Sequence, residues 1–104
     1  VNKDQLLAVL QRHIGADNGI TAAQLALQLG VDKRQVRHLI TELRMGGAAV
    51  CGHPKSGYFM AATPDDVERT CQFLRSRALH SLTLESRLRN ITLPDLLGQM
   101  RLKT

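Results

Sequence analysis

Apolar residues recur along this chain at helical spacing in four long stretches, and one short pair of β-prone runs interrupts them. In the first stretch, Leu6, Leu7, Leu10 and Ile14 share one face of a helix expected from Lys3 to Ile14. Asn2 stands at its N-cap with Gln5 three residues on. At that spacing each side chain accepts the other residue's backbone N–H. Gly15 ends the helix, and Ala16-Asp17-Asn18-Gly19 reads as a turn.

The second helix is expected over Ala22–Leu29. Thr21 and Gln24 form the same kind of box, Ile20 and Leu25 occupy the two hydrophobic-staple positions, and Gly30 closes the helix. The third follows at once. Asp32 caps it, Gln35 completes a D-x-x-Q box, and Val31 with Val36 repeats the staple. Val36, Leu39, Ile40 and Leu43 then run i, i+3, i+4, i+7 until Gly46-Gly47. Next come Ala48–Cys51 and Tyr58–Ala61, two short strands around a turn at His53-Pro54-Lys55-Ser56-Gly57.

The fourth helix is expected from Pro64 to Arg89. Thr63 is its N-cap, and Asp65 and Asp66 lie at the positive end of its dipole. Val67, Cys71, Leu74, Ala78 and Leu82 form its main stripe, which places Cys71 in a core. A last helical piece spans Thr92 to Lys103, opened by Pro94.

Composition narrows the function classes. The chain has 104 residues, 43% hydrophobic, enough for one core without disulfide staples. No apolar run approaches the roughly 20 residues of a membrane span, the first helix does not read as a signal peptide, and the expected compartment is the cytoplasm. With no Trp, one Tyr and two Phe there is little material for a base-stacking platform. Cys51, His53, Cys71 and His80 lack tight metal-ligand spacing, so no metal or cofactor is expected. No nucleophile motif or phosphate loop appears, so the chain does not read as an enzyme. No small-molecule ligand is suggested either.

The net charge of +5 is unevenly placed. Residues 32–62 carry Lys33, Arg34, Arg37, Arg44 and Lys55 against Asp32 and Glu42, the steepest positive bias in the chain. This segment also holds the most specific pattern. Two capped helices joined at a glycine, with Leu25, Leu29, Val31, Val36 and Leu39 facing inward and small Ala26 at the close approach, make a helix-turn-helix. At roughly 100° per residue, Arg34, His38 and Thr41 point away from Val36, with Arg37 beside them and Lys33 at the flank. Those side chains suit the major groove of duplex DNA, where Arg pairs with guanine and His or Thr reaches bases or phosphates. A merely solvated basic face is the plainer alternative. Thr21 and the start of the second helix add candidate backbone contacts. The tip residues His53, Lys55 and Ser56 suit phosphate.

The segments ITAAQLALQLGVDKRQVRHLITELRMGG and PKSGYFMAA resemble the winged helix-turn-helix of biotin-repressor-type bacterial regulators, as in small bacterial or prophage-encoded proteins. The resemblance covers residues 3 to 62. It implies duplex-DNA binding and transcriptional control, with Lys33, Arg34, Arg37, His38 and Thr41 on the recognition helix and Lys55 in the wing. The ligase domain of full-length members has no counterpart here, so no biotin chemistry is implied.

The expected fold is therefore mainly α with a small β-hairpin. A winged helix-turn-helix DNA-binding domain spans residues 1–62, and a C-terminal helical dimerisation region spans 63–104. A helix of about 26 residues, roughly 39 Å long, outruns what so small a domain covers. Leu79, Leu82, Leu88, Leu96 and Leu97 are therefore expected at a homodimer interface. The alternatives are a protein-interaction or assembly module whose basic face is incidental, and a phage replication or recombination accessory protein that uses the same DNA face.

Overall fold

A computed structural model describes residues 1–101. It is mostly helical with one two-stranded antiparallel hairpin, a winged helix-turn-helix followed by a long C-terminal helix. The elements are α1 (Lys3–Leu10), α2 (Ala22–Leu29), α3 (Lys33–Met45), β1 (Val50–His53), β2 (Gly57–Met60), α4 (Pro64–Leu88) and α5 (Leu93–Met100). A 3-10 turn spans Ala16–Asn18. Two compact units divide the chain between Thr70 and Cys71, so the first takes in the opening turns of α4 and extends past residue 62.

In the first unit, α1, α2 and α3 pack around one core. Leu6, Leu10, Leu25 and Val36 are fully covered there, and Ile20, Ala26, Leu39, Ile40, Leu43 and Val50 are buried with them. The expected caps form. Asn2 and Gln5 exchange two bonds of 3.0 Å each, and Thr21 and Gln24 exchange bonds of 3.0 and 3.1 Å. At α3 the cap is one-sided: Asp32 Oδ1 accepts the Gln35 N–H at 2.7 Å, and the Gln35 side chain makes no return bond.

The first helix is shorter than its sequence suggests. It stops at Leu10, because the next residues serve the wing instead. His13 O accepts the Met60 N–H at 2.7 Å, and Gly15 N–H donates to Met60 O at 2.9 Å. Ile14, expected on the core face, is 52% exposed. Farther on, Ile20 and Tyr58 exchange backbone bonds of 2.8 and 2.7 Å. β2 is thus bonded on both edges, by β1 on one side and by residues 13–20 on the other.

The strand boundaries also differ from those expected. β1 begins at Val50 rather than Ala48, and β2 begins at Gly57 rather than Tyr58. His53 pairs with Gly57, which leaves a tip of only Pro54, Lys55 and Ser56. Gly57 adopts φ +75 there, a left-handed conformation that a side chain disfavours.

The outer edge of β1 is closed by side chains. Arg44 Nε donates to Val50 O at 2.8 Å. Gly52 N–H donates to Thr70 Oγ1 at 3.3 Å. Exposed strand edges invite pairing with other chains, and these two contacts occupy this one. Cys51 and Phe59, paired across the hairpin, are buried on the sheet face opposite Val50.

In the second unit α4 ends in a left-handed residue, Asn90, with Ile91 N–H bonded to Ser86 O and Asn90 N–H to Arg87 O. This is the Schellman closure, with Asn at the position that usually takes Gly. Thr92 then caps α5, accepting the Asp95 N–H at 3.2 Å. α5 ends at Met100, and the expected end at Lys103 lies outside the described residues. Cys71, expected in a core, is exposed, and Cys51 is buried; the two are not joined in a disulfide.

Candidate nucleic-acid interface

The geometry of the site starts at Gly30. Its φ of +68 and ψ of 34 turn the chain from α2 into α3, and nothing lies within 4 Å of where a Cβ would stand. The glycine is therefore required by backbone conformation, not by crowding. Val31 N–H reaches back to Ala26 O at 3.0 Å, which locks the turn. α2 then packs on α3 through Leu25 and Ala26 on one side and Val36, Leu39, Ile40 and Leu43 on the other.

With that face of α3 buried, Lys33, Arg34, Arg37, His38 and Thr41 are all exposed. Lys33, Arg34 and Arg37 have no carboxylate partner among the described residues. Two other predicted contacts are already engaged within the protein. His38 Nε2 lies 2.9 Å from Glu42 Oε1 one turn on. The Thr41 hydroxyl donates to Arg37 O at 3.1 Å, which commits its proton to the helix backbone. Thr21 is exposed at the start of α2, but its N–H and its Oγ1 lone pair both serve the box with Gln24.

Three residues outside the predicted set change the picture. Gln35 is exposed at the beginning of α3 with its amide outside the cap, a group whose donor and acceptor match adenine N7 and N6. The signal was the D-x-x-Q spacing, which suggested a box that would have occupied it. Glu42 brings a carboxylate onto the same helix beside His38. Arg44, counted with the basic face by charge alone, instead braces the wing: besides its bond to Val50 O, its guanidinium carbon lies 6.0 Å from the Tyr58 ring centroid.

The wing presents Lys55 at its exposed tip. Its backbone N–H donates to His53 Nδ1 at 3.1 Å, and Ser56 N–H donates to His53 O at 3.1 Å, which fixes the turn. His53 Nδ1 acts as the acceptor in this turn. The C-terminal side of the wing's turn, Ser56 and Gly57, is pressed against residues 19–21. A Cβ on Gly19 would stand 1.6 Å from Ser56 O, and one on Gly57 would stand 2.6 Å from Ile20 O.

The capped helix pair, the glycine corner and most of the hairpin fall within the segment that a family model matches. The model of the HTH domain matches residues 5–59, just over half of the 104 residues. The chain belongs to the HTH domain family. This HTH domain runs from within α1 to within β2, and α4 and α5 lie outside it. DNA is accordingly the partner class that the HTH domain supports. No curated protein and no solved structure matches the chain.

Outside the HTH domain, the residues expected at a dimer interface divide. Leu79 is 41% and Leu88 86% exposed, whereas Leu82 and Leu97 are half-buried. Leu96 is 2% exposed within the single chain, so its side chain is already covered and is not available to a second copy. Leu84 and Met100, 53% and 43% exposed, are apolar surface of the same unit. Among the described residues no helix is long and apolar enough to cross a membrane.

Proposed function

We propose that this protein is a sequence-specific duplex-DNA-binding regulator of transcription that acts as a dimer. The observation that carries the reading is the two-sidedness of α3. Its apolar face is taken up by the core, and Arg34 and Arg37 stand exposed on the other with no carboxylate partner among the described residues. In this reading α3 enters the major groove with Arg34, Arg37, His38 and Thr41 toward the bases and Lys33 at the flank. Lys55 of the wing rests on the phosphate backbone, and Thr21 approaches it from α2. The biotin-repressor resemblance of residues 3 to 62 supports the same arrangement. The exposed leucines Leu79 and Leu88, with Leu82 and Leu97, support a dimer that reads half-sites about one helical turn apart.

The test is fluorescence anisotropy of a mixed-sequence duplex across a salt series, with the wild type beside the Arg34→Ala/Arg37→Ala variant. The wild type should bind with a steep negative salt slope. The variant should bind more weakly, with a slope shallower by about 0.9 for each phosphate it no longer neutralises. Equal affinity and slope for the two proteins refute the assignment of α3. Absence of binding at low salt for both refutes DNA binding through this face, and favours the protein-interaction reading of the exposed leucines.

A further inference from the structure

Beside the wing, the first unit contains a cleft of about 270 Å³ that the sequence did not suggest. Its floor is apolar, formed by buried Phe59 with Ala16 and Gly52. Its rim is polar and comes from two separate parts of the fold: His53, Lys55 and Ser56 from the hairpin, and Asp66 and Arg69 from α4. The Thr70–Gly52 bond stitches these two walls together at 3.3 Å, so the cleft is built by fixed elements.

The charges on the rim are unequally available. Asp66 is committed to the helix cap: its Oδ2 accepts Ala62 N–H at 2.9 Å and Thr63 N–H at 3.3 Å. Arg69 is held by Asp65 at 3.1 Å, with both side chains more than two-thirds exposed. Such an exposed i, i+4 pair is weak and readily exchanged for another anion. Lys55 has no carboxylate partner among the described residues. Asp66 is spent on the cap and Asp65 on the exchangeable pair with Arg69, so Lys55 is the cation left without a carboxylate, and it favours a ligand with a single negative charge that also displaces Asp65 from Arg69. The apolar floor favours one with a hydrocarbon body. The volume lies near the lower end of small-molecule sites, which places the ligand at about the size of a single substituted ring.

We propose that this cleft binds a small monocarboxylate with an apolar body, its carboxylate held between Lys55 and Arg69 and its body on Phe59. The proposal does not depend on the DNA reading.

Benzoate serves as the probe, titrated into the isotopically labelled full chain and followed by amide NMR shifts. The amides of Gly52, Ser56 and Thr70 should move together along one saturating curve. Lys55→Gln and Arg69→Gln should each weaken the apparent affinity by roughly tenfold, the loss of one charge-assisted bond. Arg75→Gln, also on α4 but outside the cleft, should leave it unchanged. The unbound spectra of the exposed-site variants report whether the fold is intact. Three results overturn the proposal: no shift up to the solubility of benzoate, shifts strongest around the exposed leucines of α4, or an Arg75→Gln variant weakened as much as the cleft variants. Inorganic phosphate that moves the same amides with equal affinity overturns the ligand class, since it has no body to place on Phe59.

Discussion

Replacing Gly19 by alanine separates two roles that a glycine can have. At Gly19 the backbone is ordinary, with φ −60 and ψ 152. In open surroundings an alanine there would stabilise the protein by roughly 0.4–1 kcal/mol, by narrowing the unfolded ensemble. The surroundings are not open: the new Cβ would stand 1.6 Å from Ser56 O and 2.8 Å from the Ser56 carbonyl carbon, both backbone atoms. The tip of the wing must move away, and the neighbouring Ile20–Tyr58 pair moves with it. That pair carries two backbone bonds, and Ile20 is only 3% exposed, so the released groups are poorly placed to find water. Breaking two bonds at about 0.5–1.5 kcal/mol each, with part of the desolvation penalty, gives a destabilisation of roughly 2–4 kcal/mol. For a domain of this size the Tm should fall on the order of 10–20 °C. Urea unfolding followed by circular dichroism checks this, with the m-value expected to stay constant. Gly30→Ala is the comparison: nothing lies near its Cβ, so only its left-handed backbone contributes, about 1–2 kcal/mol. If Gly19→Ala is neutral or stabilising, the wing does not rest on residue 19, and the seating of the hairpin described above is wrong.

Arg44→Met keeps the aliphatic stem but removes the guanidinium, and with it the bond to Val50 O and the contact with Tyr58; a destabilisation of about 1–2 kcal/mol by urea titration is expected, with DNA affinity falling as the wing loosens. Gln35→Ala should leave the salt slope of DNA binding unchanged and reduce discrimination at one base pair by roughly 1–3 kcal/mol, read from competition between duplexes differing at single positions. Asp32→Ala removes the one-sided cap of α3 and should cost about 1 kcal/mol by thermal melting. Leu88→Ser, at a position 86% exposed, should leave the stability of the fold within about 0.5 kcal/mol, and if the proposed dimer forms through these leucines, light scattering should show the variant shifted toward monomer.

The local signals were the most legible. The boxes at Asn2 and Thr21 lie within four residues of chain, so side chain and backbone meet wherever the helix forms. The period of Val36, Leu39, Ile40 and Leu43 likewise marks the buried side of α3, and so its basic side. Contacts between distant segments left less trace. Ile14 looked like the last apolar position of α1, because a single bridge to Met60 has no period to detect. Arg44 was indistinguishable from Arg37 by charge, and only the proximity of Val50 O separates a brace from a free cation. Cys71 and Leu96 show the converse error: apolar spacing on a long helix and in the final segment named candidate contacts without saying which side chains the single chain leaves uncovered.

The central position of β2 also bears on the order in which the molecule assembles. The α2–α3 corner closes over a few residues, so it costs little chain entropy and forms fast. β2 must instead capture residues 13–20 from the far end of the domain, and contacts of that separation close slowly. The helical corner is therefore expected to form before the wing is seated. The amides of Tyr58 and Met60, bonded to that distant segment, should exchange with solvent only when the whole domain opens. The Lys55 amide, held within the tip turn, should exchange by local fluctuation. Motion in the wing is therefore expected only around Pro54 and Lys55, because Ser56 rests on Gly19 and Gly57 on Ile20; in the proposed DNA complex this would let Lys55 adjust to a phosphate without disturbing α3.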